Sequence, residues 1–171
     1  VTATSMAGAA LSAPFAYKGG SYPGIGGTCA TTLASTGTCS IVVVYSPTTV
    51  ATHNETLTLN YNDGLAAQSS TRAMTGTAVT PANLSINGGP TYDYATIAVG
   101  ATKDHSFTVT NTGDYPASLM AGAGLAAPFD FKGGTYPGIG GNCSTSLAAG
   151  GTCTVVVTWS PTATGLQNGQ L

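Results

Sequence analysis

The chain has 171 residues, only 6% of them are charged, and its formal net charge is −2. Soluble domains contain about 25% charged residues on average, so we expect a surface made from threonine, serine, asparagine and glycine instead. The four basic residues are scattered, which excludes a nucleic-acid-binding patch, and no apolar run is long enough for a membrane span. This composition favours an extracellular fibre or cell-surface stalk over an unusually neutral soluble domain.

Short β-branched or alternating runs occur along the whole chain, as where Leu57, Leu59 and Tyr61 alternate with polar residues. A period of two indicates strands with one buried face. Turn sequences rich in Asn, Asp, Gly and Pro separate the runs, and no stretch has sustained helical periodicity. Several short strands at this spacing predict an all-β, immunoglobulin-like β-sandwich. In chain order, the strands are predicted at residues 40–45, 56–61, 71–79, 83–87, 104–111 and 152–159.

The chain contains an internal repeat. Residues 7–57 and 121–171 align without a gap at an offset of 114 positions, and 30 of the 51 aligned positions are identical. Such a period indicates an array of domains, so we predict tandem immunoglobulin-like β-sandwich repeats of about 114 residues, each large enough to bury its own core. Residues 1–80 are assigned to the C-terminal part of one repeat. Residues 81–171 are assigned to the N-terminal and central part of the next, with Pro81 in a short, stiff joint.

Both predicted repeats are partial. By the alignment, the first lacks the equivalents of residues 81–114, and the second lacks the equivalents of residues 58–80. A sandwich without these strands exposes unpaired backbone. Two explanations stay open. The protein continues in both directions, which we favour, or a neighbouring molecule donates the missing strands, as in donor-strand complementation.

Each predicted repeat contains one pair of cysteines ten positions apart, Cys29 with Cys39 and Cys143 with Cys153. The simplest pairing is a disulfide within each repeat, which is typical of an oxidising compartment. A zinc site made from all four cysteines is the alternative, but the paired cysteine ligands of zinc sites are usually separated by only two to four residues. We therefore predict two disulfides, no metal, and an extracellular or cell-surface location.

The longest stretch that is identical in both copies is Tyr-Pro-Gly-Ile-Gly-Gly, at residues 22–27 and 136–141. Glycines can hold a phosphate group, but that requires a helix to follow, and here a cysteine and a strand pattern follow. We predict a long exposed turn whose tyrosines contact a neighbouring domain or stack on a sugar ring. The candidate interaction residues are Tyr22, Pro23, Gly24 and Ile25 in the first copy and Tyr136, Pro137, Gly138 and Ile139 in the second.

No constellation of catalytic residues is apparent. Asp104, His105 and Ser106 are the residue types of a hydrolytic triad, but neighbours on a strand point to opposite faces and cannot form a hydrogen-bonded relay. His53 aligns with Gln167 and is therefore not repeated, and the acidic residues are too scattered for a calcium site. We expect no enzymatic activity and no cofactor.

Four segments, taken in order, resemble a known family. They are residues 57–78, with LTLNY followed by AMTGTA, residues 92–97 (YDYATI), residues 107–113 (FTVTNTG) and residues 143–165, from CSTSLAAGGTC to WSPTATG. Together they resemble bacterial ASH-type domains, immunoglobulin-like relatives of domains in abnormal-spindle and hydin proteins that occur as "choice-of-anchor D" repeats of bacterial surface proteins. The resemblance implies a strand at residues 92–97. It implies a structural or adhesive module with no catalytic residues.

The chain departs from the family pattern at two places. Ala51 stands in the first copy where the second copy has Gly165, and the usual Phe-Gly pair is Tyr94-Ala95. Neither departure alters the expected fold.

Two functions from different classes are predicted. The first is a structural repeat module of a secreted or cell-surface bacterial filament, whose partner is itself, as a homopolymer or as adjacent repeats, through loop contacts or strand complementation. The alternative is an adhesin stalk or a ligand-binding immunoglobulin-like domain that recognises glycans or another cell and uses the same loop as its display site. Packing loops are expected to stay alike between repeats, whereas specialised binding loops diverge. The identity of the two loops therefore favours assembly.

Overall fold

In the computed structural model, which describes all residues from Val1 to Leu171, the chain is all-β, with eleven strands and no helix. The all-β prediction is therefore confirmed. The residues form two compact units, Val1–Val79 (unit 1) and Thr80–Leu171 (unit 2). Their assignment to parts of immunoglobulin-like repeats stays a prediction.

Unit 1 contains β1 (Thr4–Gly8), β2 (Phe15–Tyr17), β3 (Val43–Tyr45), β4 (Thr52–Asn62) and β5 (Ala67–Thr77). A three-stranded antiparallel sheet has the order β1-β4-β5, and β2 pairs with β3. Asp63 stabilises the turn between β4 and β5, because its carboxylate accepts hydrogen bonds of 2.8 Å from the backbone N–H groups of Ala66 and Leu65. These hydrogen bonds hold the pKa of Asp63 below its usual value. The hairpin therefore has a locally defined turn and a full-length ladder.

Unit 2 contains β6 (Leu84–Ile86), β7 (Lys103–Asn111), β8 (Ala117–Ser118), β9 (Phe129–Phe131), β10 (Ser146–Leu147) and β11 (Thr152–Trp159). Its main antiparallel sheet has the order β6-β7-β11-β9, and β8 pairs with β10. Phe107 and Val109 on β7 are buried, as are Val155 and Val157 on β11. On β7 the burial alternates, as the period-two pattern predicts. On β11, Val155 and Val157 belong to the same core, and Val156 on the opposite face is buried as well. The core is completed by Tyr94, Ala117, Phe131, Cys143, Leu147 and Cys153.

Asn111, at the end of β7, is the only polar residue that is fully buried, with 0% of its surface exposed. Its amide Nδ2 donates to the carbonyl oxygens of Tyr115, Leu147 and Ala148 at 2.9–3.3 Å. Its Oδ1 accepts hydrogen bonds of 3.1 Å from the N–H groups of Asn83 and Gly113. One side chain therefore satisfies backbone groups from several segments of unit 2, so that its own burial is compensated.

Every strand predicted from the hydrophobic pattern overlaps an observed strand; β11 has the predicted bounds, and the bounds of the others are shifted. β4 and β5 are longer than predicted, and β3 begins at Val43 instead of residue 40. Five strands of two to five residues were not predicted: β1, β2, β8, β9 and β10. Strands this short contain too few residues to show a period of two, and pairing with distant segments defines them instead.

The strand that the family resemblance implies at residues 92–97 is wrong, since this segment forms no strand. Ala95 has a φ of 58°, which interrupts an extended backbone, and its N–H donates to Asp93 Oδ1 at 2.7 Å. In place of strand pairing, Tyr94 anchors the segment to β11, because its buried hydroxyl donates to the carbonyl oxygen of Val157 at 3.2 Å. Burial of the ring raises the pKa of Tyr94 to about 12.

The joint predicted at residues 79–82 is not a free linker at Thr80 and Pro81. The backbone N–H of Asp114 donates to Thr80 Oγ1 at 3.1 Å, and the Thr80 hydroxyl donates to the Asp114 carboxylate. Gly113 lies so close to the carbonyl of Pro81 that a Cβ there would overlap it. Thr80 and Pro81 are therefore part of unit 2.

Candidate interaction loop

The glycine-rich loop follows β2 in unit 1 and β9 in unit 2, and we call its two copies loop 1 (residues 18–28) and loop 2 (residues 132–142). In loop 1 the N–H of Ile25 donates to the carbonyl of Lys18 at 2.7 Å, and in loop 2 Ile139 donates to Lys132 at the same distance. Both loops are also tied to the valine-rich segment that follows the second cysteine. Val42 donates to the Pro23 carbonyl at 2.8 Å, and Val156 donates to the Pro137 carbonyl at 2.7 Å. The two loops are thus held by the same backbone hydrogen bonds.

Glycine is required at the centre of each loop. Gly24 and Gly138 have φ values of 89° and 88°, a region that L side chains rarely adopt. A Cβ at Gly24 would overlap the carbonyl oxygen of Val42, and a Cβ at Gly138 would overlap that of Val156. The glycine is therefore required for a local steric reason in both copies. Without a Cβ, the loop backbone can pack directly on the valine-rich segment of its own unit.

The sequence predicts an exposed turn whose tyrosines are free to contact a partner. In the structure, the tyrosines of the loops do not project freely into solvent. Both rings are half-buried and meet an aromatic neighbour edge to face: Tyr22 meets Tyr17 at 5.8 Å between ring centroids, and Tyr136 meets Phe131 at 5.5 Å. The ring of Tyr22 also packs over Gly8, and that of Tyr136 over Gly122, where a Cβ would overlap the ring. Burial raises the pKa of both Tyr22 and Tyr136. The tyrosines therefore fix the loop onto its own unit.

The isoleucine is the side chain that each loop presents to solvent. Ile25 is 68% exposed and Ile139 is 69% exposed, although both are large and apolar. Each lies against the backbone of a glycine earlier in its loop, Gly19 or Gly133. A loop held by backbone hydrogen bonds thus displays one apolar side chain in the same local setting in both units. Pro23 and Pro137 are half-buried beside it, and Gly24 and Gly138 are buried.

A disulfide lies at the end of each loop. Cys29 is bonded to Cys39 and Cys143 to Cys153, with Cα–Cα distances of 4.8 and 4.9 Å. Because no cysteine is free, the zinc alternative has no thiolate ligands. No group of three or more His, Cys, Asp or Glu side chains lies together in a way that could hold a metal ion.

The single ion pair of the chain joins loop 2 to β7. Lys132 Nζ lies 2.8 Å from Asp104 Oδ2, and the Thr158 hydroxyl donates to Asp104 Oδ1 at 2.6 Å. The hydrogen bond from Lys132, followed by that from Thr158, holds the pKa of Asp104 below its usual value. The sequence analysis missed this contact, because only the antiparallel pairing of β11 with both β7 and β9 brings the two residues together.

The triad-like residues on β7 are separated in the structure. Asp104 contacts Lys132, whereas the ring of His105 stacks on Tyr92 with 3.7 Å between the ring centroids. His53, in unit 1, lies on β4 and shares a hydrogen bond of 2.9 Å with the hydroxyl of Tyr45. Each histidine therefore packs against a tyrosine of its own unit.

Comparisons of the chain with protein-family models, with curated proteins and with solved structures found no match. The resemblance to ASH-type domains therefore stays a prediction. No helix in the chain is both long and apolar enough to cross a membrane.

Proposed function

We propose that this chain is a structural segment of a secreted or cell-surface bacterial fibre, built from tandem immunoglobulin-like repeats of the ASH type that associate with themselves through the glycine-rich loops. The observation that carries the proposal is the match between loops 1 and 2. They share the same central residues, the same backbone hydrogen bonds and an isoleucine of nearly equal exposure. A surface used in the same way by each unit of an array would be alike in this manner.

Three properties of the chain favour association through the loops: the exposed isoleucine, the hydrogen-bonded loop backbone and the low charge. Full burial of an isoleucine side chain contributes about 1.5–3 kcal/mol, and a loop whose backbone is already hydrogen-bonded to its own unit has less conformational entropy to lose when it binds. Charge does not oppose close approach, since only 6% of the residues are charged. The two disulfides support an oxidising, extracellular setting.

Negative-stain electron microscopy of the native cell surface, with mass spectrometry of isolated fibres, tests the proposal. We expect fibres that yield peptides of this chain and have an axial repeat compatible with one immunoglobulin-like domain. Isolated stalks that end in a different domain and do not polymerise would contradict the fibre and favour the adhesin stalk.

A further inference from the structure

The outer face of the β4–β5 hairpin is made of uncharged polar and small side chains. The opposite face of β4 carries Leu57, Leu59 and Tyr61, which are half-buried. On the outer face, three successive cross-strand pairs are exposed at both members: Thr52 with Thr77, Asn54 with Thr75, and Thr56 with Ala73. This face is therefore open to solvent along the first half of β4.

Asn54, Glu55 and Thr56 on β4 form an Asn-X-Thr sequence, the acceptor sequence of N-linked glycosylation. On a strand, residues i and i+2 point to the same face and lie about 6.5–7 Å apart. β4 therefore presents the amide of Asn54 and the hydroxyl of Thr56 side by side. The carboxylate of Glu55 is turned away from them, since it accepts hydrogen bonds from the N–H groups of Ser12 at 2.7 Å and Thr56 at 2.8 Å.

The two groups that define the acceptor sequence are both unengaged. Thr52 and Thr77, the adjacent pair, share a hydrogen bond of 3.1 Å between their hydroxyls, whereas the side chains of Asn54 and Thr56 make no hydrogen bond within the chain. Because both side chains are also exposed, the folded unit can carry a bulky group at Asn54 without losing a contact.

Two further acceptor sequences, of the type Asn-X-Ser, begin at Asn83 and Asn142, and each has a group that is already engaged. Asn83 Nδ2, the atom that would carry a sugar, donates to Thr112 Oγ1 at 3.2 Å. Asn142 Oδ1 accepts hydrogen bonds from the N–H and the hydroxyl of Thr154 at 2.7 and 3.0 Å. The hydroxyl of Ser144 donates to a backbone carbonyl at 3.0 Å. The structure therefore distinguishes the sequence on β4 from the other two.

We propose that Asn54 is an N-glycosylation site, modified by a transferase that uses a glycosyl diphosphate. The amide nitrogen of Asn54 forms a bond to the anomeric carbon of the sugar, and the bond between that carbon and the diphosphate breaks. The diphosphate leaves with the electron pair, and a base of the transferase takes one proton from the amide. The hydroxyl of Thr56, on the same face, is the second group that the transferase contacts.

A glycan at this position supplies the hydration that the protein surface otherwise lacks. Only 6% of the residues are charged and the net charge is −2, which gives little repulsion between molecules. A sugar chain is bulky and increases solubility. Glycosylation goes beyond the proposed function: it requires the secreted or cell-surface location given there, but not contact through the loops.

Mass spectrometry of tryptic peptides, from protein isolated from the cells that produce it, tests this inference. Trypsin places the three acceptor sequences on separate peptides. These are residues 19–72 with Asn54, residues 73–103 with Asn83, and residues 133–171 with Asn142. We expect a glycan on the first peptide, attached at Asn54, and unmodified masses for the other two. An unmodified Asn54, or equal occupancy of the three sites, would overturn the inference.

Variants expressed in the same cells separate recognition of the sequence from folding. Thr56→Val keeps the shape of the side chain but removes its hydroxyl, and should abolish the glycan at Asn54, whereas Thr56→Ser should keep it. Asn60→Gln, at an exposed asparagine of the same face that belongs to no acceptor sequence, is the matched control and should leave occupancy unchanged. A glycan that persists in Thr56→Val, folded by circular dichroism, would contradict an N-linked site. Fibre formation is scored separately by microscopy, so failure of this site is distinguishable from failure of the proposed function.

Discussion

Tyr45 and His53 are joined by a hydrogen bond of 2.9 Å between the phenolic hydroxyl and Nδ1, which ties the end of β3 to the start of β4. The aligned residues of unit 2, Trp159 and Gln167, make the equivalent bond from Nε1 to Oε1 at 3.2 Å. Both residues differ between the units, yet the donor–acceptor contact is kept. The contact itself, and not the residue type, is the feature that the two units share.

His53→Gln should therefore be tolerated in unit 1, because the amide can accept the hydrogen bond from Tyr45 as Gln167 accepts that from Trp159. His53→Leu should lower the free energy of unfolding by about 0.5–1.5 kcal/mol, the usual net contribution of one hydrogen bond. Urea unfolding followed by circular dichroism measures the difference. Equal destabilisation by both substitutions would show that the hydrogen bond does not matter.

Asn111→Ala should destabilise unit 2 strongly. The substitution leaves the N–H groups of Asn83 and Gly113 without their acceptor, and each buried unsatisfied group costs about 1–3 kcal/mol. Asn83→Ala is the control, since the side chain of Asn83 makes only an exposed hydrogen bond to Thr112. Thermal unfolding should give a much larger decrease in Tm for the first variant, and comparable decreases would argue against the central role of Asn111.

Cys143→Ser/Cys153→Ser should lower the stability of unit 2 by about 2–3 kcal/mol, because a disulfide that closes a loop of this length restricts the unfolded chain. The loss should appear only under oxidising conditions, since strong reductant removes the bond from the parent chain as well. The same decrease in Tm in strong reductant would contradict a stabilising disulfide.

The stability of unit 2 should depend on pH through Asp104. Its pKa is lower in the folded chain than in the unfolded chain, so the stabilisation is present above the unfolded value and is lost as the pH falls through the folded value. We expect Asp104→Asn to flatten the decrease of Tm that accompanies acidification below about pH 5. An unchanged acid dependence in Asp104→Asn would be the contrary result.

The sequence predicts the four long strands, β4, β5, β7 and β11, and the short strands β3 and β6 only as parts of longer runs, whereas it misses the other five strands. β7 and β11 have enough residues to show which face is buried, whereas a strand such as β8, with two residues, is defined only by its pairing with β10. The spacing of the cysteines likewise indicated the pairing that the structure contains.

The candidate loop was predictable in position but not in orientation. Its identity in both copies pointed to residues 22–27 and 136–141, but which side chain faces solvent depends on residues elsewhere in the chain. Gly122, which lacks a side chain, leaves room for the ring of Tyr136. Because Tyr136 turns inward, Ile139 becomes the exposed residue, and no local pattern contains that information.

Electron microscopy and sedimentation velocity of the full chain with Ile25→Ser/Ile139→Ser test the central claim most directly. Val50→Ser/Val99→Ser is the matched control, because these valines are also apolar and exposed, at 60% and 51%, but lie outside the loops. The proposal predicts that the parent and the control associate into fibres and that the loop variant, correctly folded by circular dichroism, sediments as a smaller species. Fibres of the loop variant that are indistinguishable from those of the parent would contradict assembly through the loops.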